Sequence, residues 1–446
     1  MSTPDSTTSL EPDEPLPRRL TVWGIWLLVV NGLIGAGIFG VPGEAARLTG
    51  AWSPLVFVLC SLLILPILLC FAELASYFRS TGGPVRYAGA AFGPFVGFET
   101  GWTFYVGRAV AFAANLNLLV DSASYFWADV NQGATRLAVL FAICAAFTWI
   151  NVVGSVHAMR SLAGLTVLKF LPLLALVVFG IGLIGPDTLP LASTPWPAAG
   201  DIGTATVLLI YAYVGFEGAV VPAGETRNPA RDIPRALILG LVIVTILYVL
   251  LQAVSIAVLP DLANSDSPLL DVAAQLLGPA GAVLLMAGVL ASVGGNLIGS
   301  MFSSPRMTYA LARDGSLPSW FGAVHPRFAT PANSVLFYGT LAFLLAAFGS
   351  FAWLAVMGVL VRLLMYMLSI AALPILRRRF RSAPDRFVLH GGYAIPLIAI
   401  VFCLGLLTQV GRDSWVVTGA FLVLGSVLYS LARRSRAAAP IRGEIR

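Results

Sequence analysis

The chain has 446 residues and a mean hydropathy of +0.88; 58% of residues are hydrophobic and 11% charged, against about 25% charged in an ordinary soluble domain. So little charge cannot keep a 47.1 kDa protein dispersed in water, which excludes a cytosolic enzyme, a nucleic-acid binder and a disordered chain. The formal net charge of +6 therefore reports membrane topology rather than nucleic-acid affinity.

The chain opens on a polar, acidic, proline-rich stretch without the apolar core of a signal peptide. Residues 1–20 read as a disordered cytoplasmic tail. Apolar runs follow, separated by loops too short for a soluble domain. Helical spans of roughly 20 residues are expected at 22–46, 52–78, 93–121, 135–153, 161–184, 203–224, 235–259, 276–305, 332–350, 352–374, 389–408 and 414–432. The expected fold is thus an all-α polytopic membrane protein with twelve transmembrane helices. Cys60, Cys70, Cys144 and Cys403 fall inside apolar runs without metal-ligand spacing and read as small buried hydrophobes.

Charge sets the orientation. The even-numbered loops hold the arginines from Arg79 and Arg86 through Arg377, Arg378, Arg379 and Arg386, whereas the opposite face holds only Arg47, Arg136 and Arg412. Basic residues stay on the cytoplasmic side during insertion, so both termini are expected to be cytoplasmic, in a multi-pass protein of the cell membrane.

Two spans look broken. The first reads Asn31-Gly32-Leu33-Ile34-Gly35-Ala36-Gly37 with Pro42 following, and the sixth reads Tyr211-Ala212-Tyr213-Val214-Gly215-Phe216-Glu217-Gly218 with Pro222 following. Mid-span glycines weaken a helix and proline removes a backbone donor. Glycines in membrane helices also serve close packing. Two breaks five spans apart, one carrying an acid, point instead to an inverted-repeat transporter with its site at the breaks. The organisation expected is a first repeat at 21–185 (spans 1–5) and a second at 186–375 (spans 6–10). Two extra spans and their preceding basic loop occupy 376–434, and a cytoplasmic tail 435–446.

The motifs resemble the amino acid–polyamine–organocation transporter superfamily over about residues 20–380, in its sodium-independent permease type. They are the Gly-Ala-Gly break, Phe71-Ala72-Glu73-Leu74, Gly82-Gly83-Pro84, Ala91-Phe92-Gly93-Pro94 and Gly215-Phe216-Glu217. Further on come Gly224-Glu225-Thr226-Arg227-Asn228-Pro229, Arg306 and Tyr309-Ala310-Leu311-Ala312-Arg313-Asp314-Gly315. Arg108 in the third span and Arg362 in the tenth depart from the most familiar members and leave the substrate open.

Unwinding a helix in lipid frees N–H and C=O groups that only a ligand, water or protein can satisfy. N–H groups near Gly35, Ala36 and Gly37 suit an α-carboxylate, and carbonyls near Ile34, Val214 and Phe216 suit an α-ammonium. Two facing breaks would clamp any amino acid by its charged ends, and the resemblance implies the same. Lys169, the single lysine, lies mid-span. It either snorkels to the interface or, as the resemblance implies, replaces the sodium ion of sodium-coupled relatives beside Ser292. In the second case it is also a candidate proton carrier. Glu217 is a candidate cation partner, basic-substrate ligand or proton-sensitive gate. Arg108 and Arg362 are functional charges or satisfy carbonyls and an acid such as Glu99. Tyr211 and Asn296 are candidate side-chain contacts.

The expected function is secondary active transport of amino acids or related amines by alternating access, independent of sodium, driven by proton symport or exchange. The alternative is a non-transporting amino-acid sensor in the membrane. Neither a phosphate-binding loop nor a paired nucleophile and base is evident. No cofactor, metal or nucleic-acid partner is expected; the partners are the substrate, the bilayer and protons.

Overall fold

The computed structural model describes residues 16–35, 37–189, 191, 194–265, 267–348, 351–381, 386–408 and 412–437. Within these, the side chains at 128, 131, 211, 351–359, 412–414, 417, 431 and 433–437 lie outside the description. The helices are α1 Val22–Leu33, α2 Gly37–Thr49, α3 Ser53–Ser76, α4 Pro84–Phe92, α5 Pro94–Ala123, α6 Gly133–Val153, α7 Ser155–Gly180 and α8 Ala199–Ile210. There follow α9 Pro229–Val258, α10 Pro268–Ser303, α11 Pro305–Arg313, α12 Ala332–Phe348, α13 Phe351–Arg379, α14 Ala394–Leu407 and α15 Arg412–Ala437.

Among the described residues, 7 helical stretches are long and apolar enough to cross a membrane, and shorter apolar helices stand at Val22–Leu33, Ala199–Ile210, Ala332–Phe348, Ala394–Leu407 and Thr418–Ser430. Each expected span meets one of these. The first and sixth are short because they are interrupted. A 12-residue helix rises only about 18 Å, well under the roughly 30 Å hydrocarbon core. The first span resumes as α2, with Pro42 inside it. The sixth differs from expectation: after α8 it continues only as short 3₁₀ turns at Tyr211–Tyr213, Phe216–Val220 and Ala223–Glu225. Gly215 sits there with φ +112°, and Pro222 cannot donate to a regular helix.

A repeat is visible in the turns. Short α4 ends at Gly93 (φ +98°), followed by Pro94 and the long α5. The expected eighth span begins earlier than its apolar run, as a short helix from Pro268 that kinks at Gly278 (φ +70°) before Pro279 and a long stretch. Only glycine adopts such angles readily, and proline is at home in a first helical turn. The same device therefore starts a long helix twice. Around the breaks, α7 packs along α10, α3 along α9 and α5 along α13. The four cysteines are buried and free.

The N-terminal tail needs a correction at its end. Residues 1–15 lie outside the description, but 16–20 do not form a free tail. Leu16 and Leu20 are buried. The Leu20 N–H donates to the Glu225 carbonyl at 2.8 Å, and the Leu20 carbonyl accepts from the Arg227 N–H at 2.9 Å. Two apolar side chains and two backbone bonds hold this segment against the loop after the sixth span. At the other end, α15 runs past the expected 432 to Ala437, and the rest of the expected C-terminal tail is outside the description.

Candidate substrate site

The two interrupted spans cross where glycine faces glycine. A Cβ on Gly32 would lie 2.4 Å from the Gly215 carbonyl oxygen, and one on Gly215 would lie 2.4 Å from that of Gly32. Only hydrogen fits on either side, so packing accounts for the bare Gly215. At Gly35 a Cβ would meet just the Asn296 amide at 3.7 Å, an ordinary contact. Gly35 therefore borders open space.

That space is a cavity between the two breaks. Its wall includes Gly32, Leu33, Gly35 and Gly37 from the first span and Ala212, Val214 and Gly215 from the sixth. Arg108, Phe112 and Asn115 of α5, Asn296 and Ser300 of α10, and Arg362 of α13 complete it. Of the residues singled out from sequence, Gly35, Gly37, Val214, Gly215, Asn296, Arg108 and Arg362 line the cavity. Ile34, Lys169, Ser292, Phe216 and Glu217 stand buried behind it. Ala36 lies outside the described residues, as does the side chain of Tyr211.

The buried residues hold the breaks open. Lys169 does not snorkel: it is 0% exposed, and its ammonium donates to Asn31 Oδ1 at 2.8 Å and to the Ile34 carbonyl at 3.0 Å. Ser292 donates to the same carbonyl at 3.0 Å and lies 3.3 Å from that of Gly35. Asn31 is fixed in turn by donating to Thr166 Oγ1 at 2.6 Å, and Gly295 of α10 leaves the room it needs. Asn296 donates to the Asn31 carbonyl at 2.9 Å and accepts from Asn115 at 3.3 Å.

These bonds revise two expectations of the clamp. The Ile34 carbonyl is occupied by Lys169 and Ser292, so it does not face a ligand ammonium. The Gly35 N–H turns back to the Leu33 carbonyl at 3.0 Å. The donors left for a carboxylate are the first N–H groups of α2, from Gly37 onward, which a helix cannot satisfy internally. Val214 supplies a carbonyl that no described residue occupies. Phe216 is buried behind the wall, its ring stacking on Tyr366 at 5.8 Å and meeting Phe71 edge-on.

Glu217 is fully engaged. Arg362 Nε donates to its Oε1 at 3.1 Å, while the Tyr366 hydroxyl at 2.7 Å and the Gly215 N–H at 2.9 Å donate to Oε2. It therefore locks the sixth break to α13 and, 0% exposed, stands behind the cavity wall rather than in it. Arg108 does not pair with Glu99, whose Oε1 accepts from Ser426 of α15 at 2.9 Å.

Tyr248 of α9 had no signal in the sequence. It is 0% exposed, and its hydroxyl sits 3.0 Å from the Leu33 carbonyl and 3.2 Å from that of Ala212. One phenol proton is thus shared between a carbonyl from each break. Tyr248→Phe should cost about 1–3 kcal/mol for removing the hydroxyl that the two breaks share, read as a lowered unfolding temperature of detergent-solubilised protein. An unchanged unfolding temperature would mean that water or another group takes over.

A family model described as amino acid permease matches residues 20–428. The chain belongs to this family. It resembles the branched-chain amino acid permease of Bacillus subtilis (strain 168), with 27% identity over 95% of this chain and 94% of the relative. The methylthioribose transporter of the same organism is 26% identical, over 94% of each chain. The serine/threonine exchanger, again from that organism, is 27% identical over 93% and 92%. The protein is thus a multi-pass membrane transporter of the amino acid permease family, not an enzyme.

The family motifs outside the cavity meet as ion pairs. Glu225 accepts from Arg306 at both oxygens, one bond at 2.9 Å, with Ser155 donating to the same carboxylate at 2.9 Å. Glu73 takes Arg377 at 2.8 and 2.7 Å, and also the Tyr77 hydroxyl and the Leu389 N–H. Arg86 pairs with Asp314. These pairs tie together the ends of helices that border the arginine-rich loops. Breaking one partner of a buried pair is costly because it strands the other charge.

Proposed function

We propose that the protein is a secondary carrier of amino acids, working by alternating access around the cavity where the first and sixth spans unwind. The observation that carries this reading is the cavity itself. It is walled by both interrupted spans, and α2's unsatisfied N–H groups and the Val214 carbonyl border it. These suit the two charged ends of an amino acid. The named substrates of the relatives differ among themselves, so the side chain preferred here is left to the cavity's own residues. The two halves, 21–185 and 186–375, would rock against each other, with 376–434 as an accessory pair of spans. Both termini would face the cytoplasm and the carrier would sit in the cell membrane, following the arginine asymmetry of the loops.

Transport is proposed to be independent of sodium. The Lys169 ammonium stands where α1, α7 and α10 meet, donating to the backbone at the first break. It supplies the positive charge a bound cation would bring. Proton symport or substrate exchange would then supply the driving force, with Lys169 as the candidate proton carrier. The test is counterflow of labelled amino acids in proteoliposomes, with sodium and pH gradients varied separately. Uptake should be equal in sodium and choline media. A strict sodium requirement would overturn the coupling, and absence of counterflow for every amino acid would overturn the carrier reading.

A further inference from the structure

Two guanidinium groups line the cavity, and among the described residues the acid beside them is Glu217. Arg362 is matched by Glu217, which also holds the Tyr366 hydroxyl. Arg108 lies near enough to Glu217 for their charges to interact, but makes no hydrogen bond to it. It is 7% exposed, its Nε is buried without an acceptor, and none of its side-chain nitrogens donates to a described residue. Its own carbonyl is held by the Tyr338 hydroxyl at 2.8 Å, which fixes that turn of α5. Its guanidinium reaches the sixth span, with Nη2 3.7 Å from where a Cβ on Gly218 would stand. A buried guanidinium with unmet donors is expensive inside a membrane unless something anionic completes it.

From this we infer that the preferred substrate carries a second carboxylate: a dicarboxylic amino acid, whose distal carboxylate is received by Arg108. The inference rests on the carrier reading above and names the substrate class of that same cavity. A zwitterion, its one carboxylate held at α2, would leave the Arg108 donors unmet. A basic amino acid or an amine would add a further cation, and Glu217 is already taken. A substrate of net charge −1 brings Arg108 the carboxylate it lacks. Guanidinium also suits the task geometrically, since its planar fork matches a carboxylate with two parallel bonds. Asn115 and Ser300, on the same wall, add uncharged polar groups beside it.

The test is a competition panel in counterflow with the purified, reconstituted protein, using aspartate, glutamate, leucine, serine and arginine. Aspartate and glutamate should compete best and arginine worst. Arg108→Gln should weaken the acidic competitors by at least about tenfold, the scale of one charge-assisted contact, and weaken leucine and serine much less. Arg108→Lys should restore part of the acidic preference. If wild-type protein takes leucine or serine and ignores the acids, the inference is overturned and the carrier reading stands. An equal loss for all competitors in Arg108→Gln would also overturn it, because Arg108 would then be a general structural support. If no amino acid competes, both readings fall. The wild-type panel decides even where a variant does not fold.

Discussion

Lys169→Met is expected to reduce transport by at least about tenfold while the protein still inserts and elutes as a single species. Methionine keeps most of the volume and removes the ammonium, so the change isolates charge from packing. Two bonds are lost, to Asn31 Oδ1 and to the Ile34 carbonyl. A bond made by a charged donor contributes about 1.5–3 kcal/mol. The consequence is local: Asn31 loses the donor to its Oδ1 and keeps Thr166, and the Ile34 carbonyl keeps only Ser292. The first break should then shift among several arrangements, and the cavity wall at Gly35 with it. Uptake driven by a pH gradient and exchange at equal pH should both be measured. Wild-type rates in both would mean that the ammonium is neither a structural pin nor a coupling group. Loss of gradient-driven accumulation with exchange retained would single out the proton role.

Gly35→Val and Gly215→Val should fail in different ways. Valine at Gly215 must accept φ +112° and a collision with the Gly32 carbonyl. The first costs about 1–2 kcal/mol and overpacking about 1–3 kcal/mol more. That variant should unfold at markedly lower temperature or not accumulate at all. At Gly35 a Cβ meets only the Asn296 amide at ordinary distance, so the fold should survive. The branched side chain would instead fill the cavity beside α2's first N–H groups. Binding of every amino acid should fall together, by at least about tenfold, with the unfolding temperature near wild type. A Gly35→Val protein that keeps overall affinity and merely changes its preference would remove the backbone of the first break as common anchor. Asn296 changes, by contrast, should alter preference, since its side chain borders the cavity.

The spans, the two breaks and the arginine asymmetry could all be read along the chain. Each depends on near neighbours: a run of apolar residues, a glycine beside a glycine, a proline a turn or two later. Lys169 stood out for the same reason, as a charge inside an apolar run. What it touches did not, because Asn31 and Ile34 lie 138 and 135 residues away. Likewise Glu217 is legible as an acid at a break, but the arginine that occupies it is 145 residues distant. That pairing turned a candidate ligand into a lock and left Arg108 without a hydrogen-bonded acid. Gly35 and Gly215 look alike as letters; the Gly32 carbonyl makes one a packing contact, and open space makes the other a cavity wall.

Tyr248 shows the deeper limit. In water, a helix declares its inner face because its outer face is polar. In lipid both faces are apolar. On α3, Leu62 is 58% exposed and Leu68 is 0% exposed, yet both are leucine. No periodicity therefore marks which side of α9 meets the breaks, and a tyrosine there reads as one more aromatic. The sequence by itself determined where the chain crosses the membrane and where it must unwind, since those follow from local backbone chemistry and hydrophobicity. The tertiary structure alone decided which carbonyls remain open and which charges are neutralised. Those depend on side chains brought together from distant spans by a solvent that leaves no pattern in the sequence.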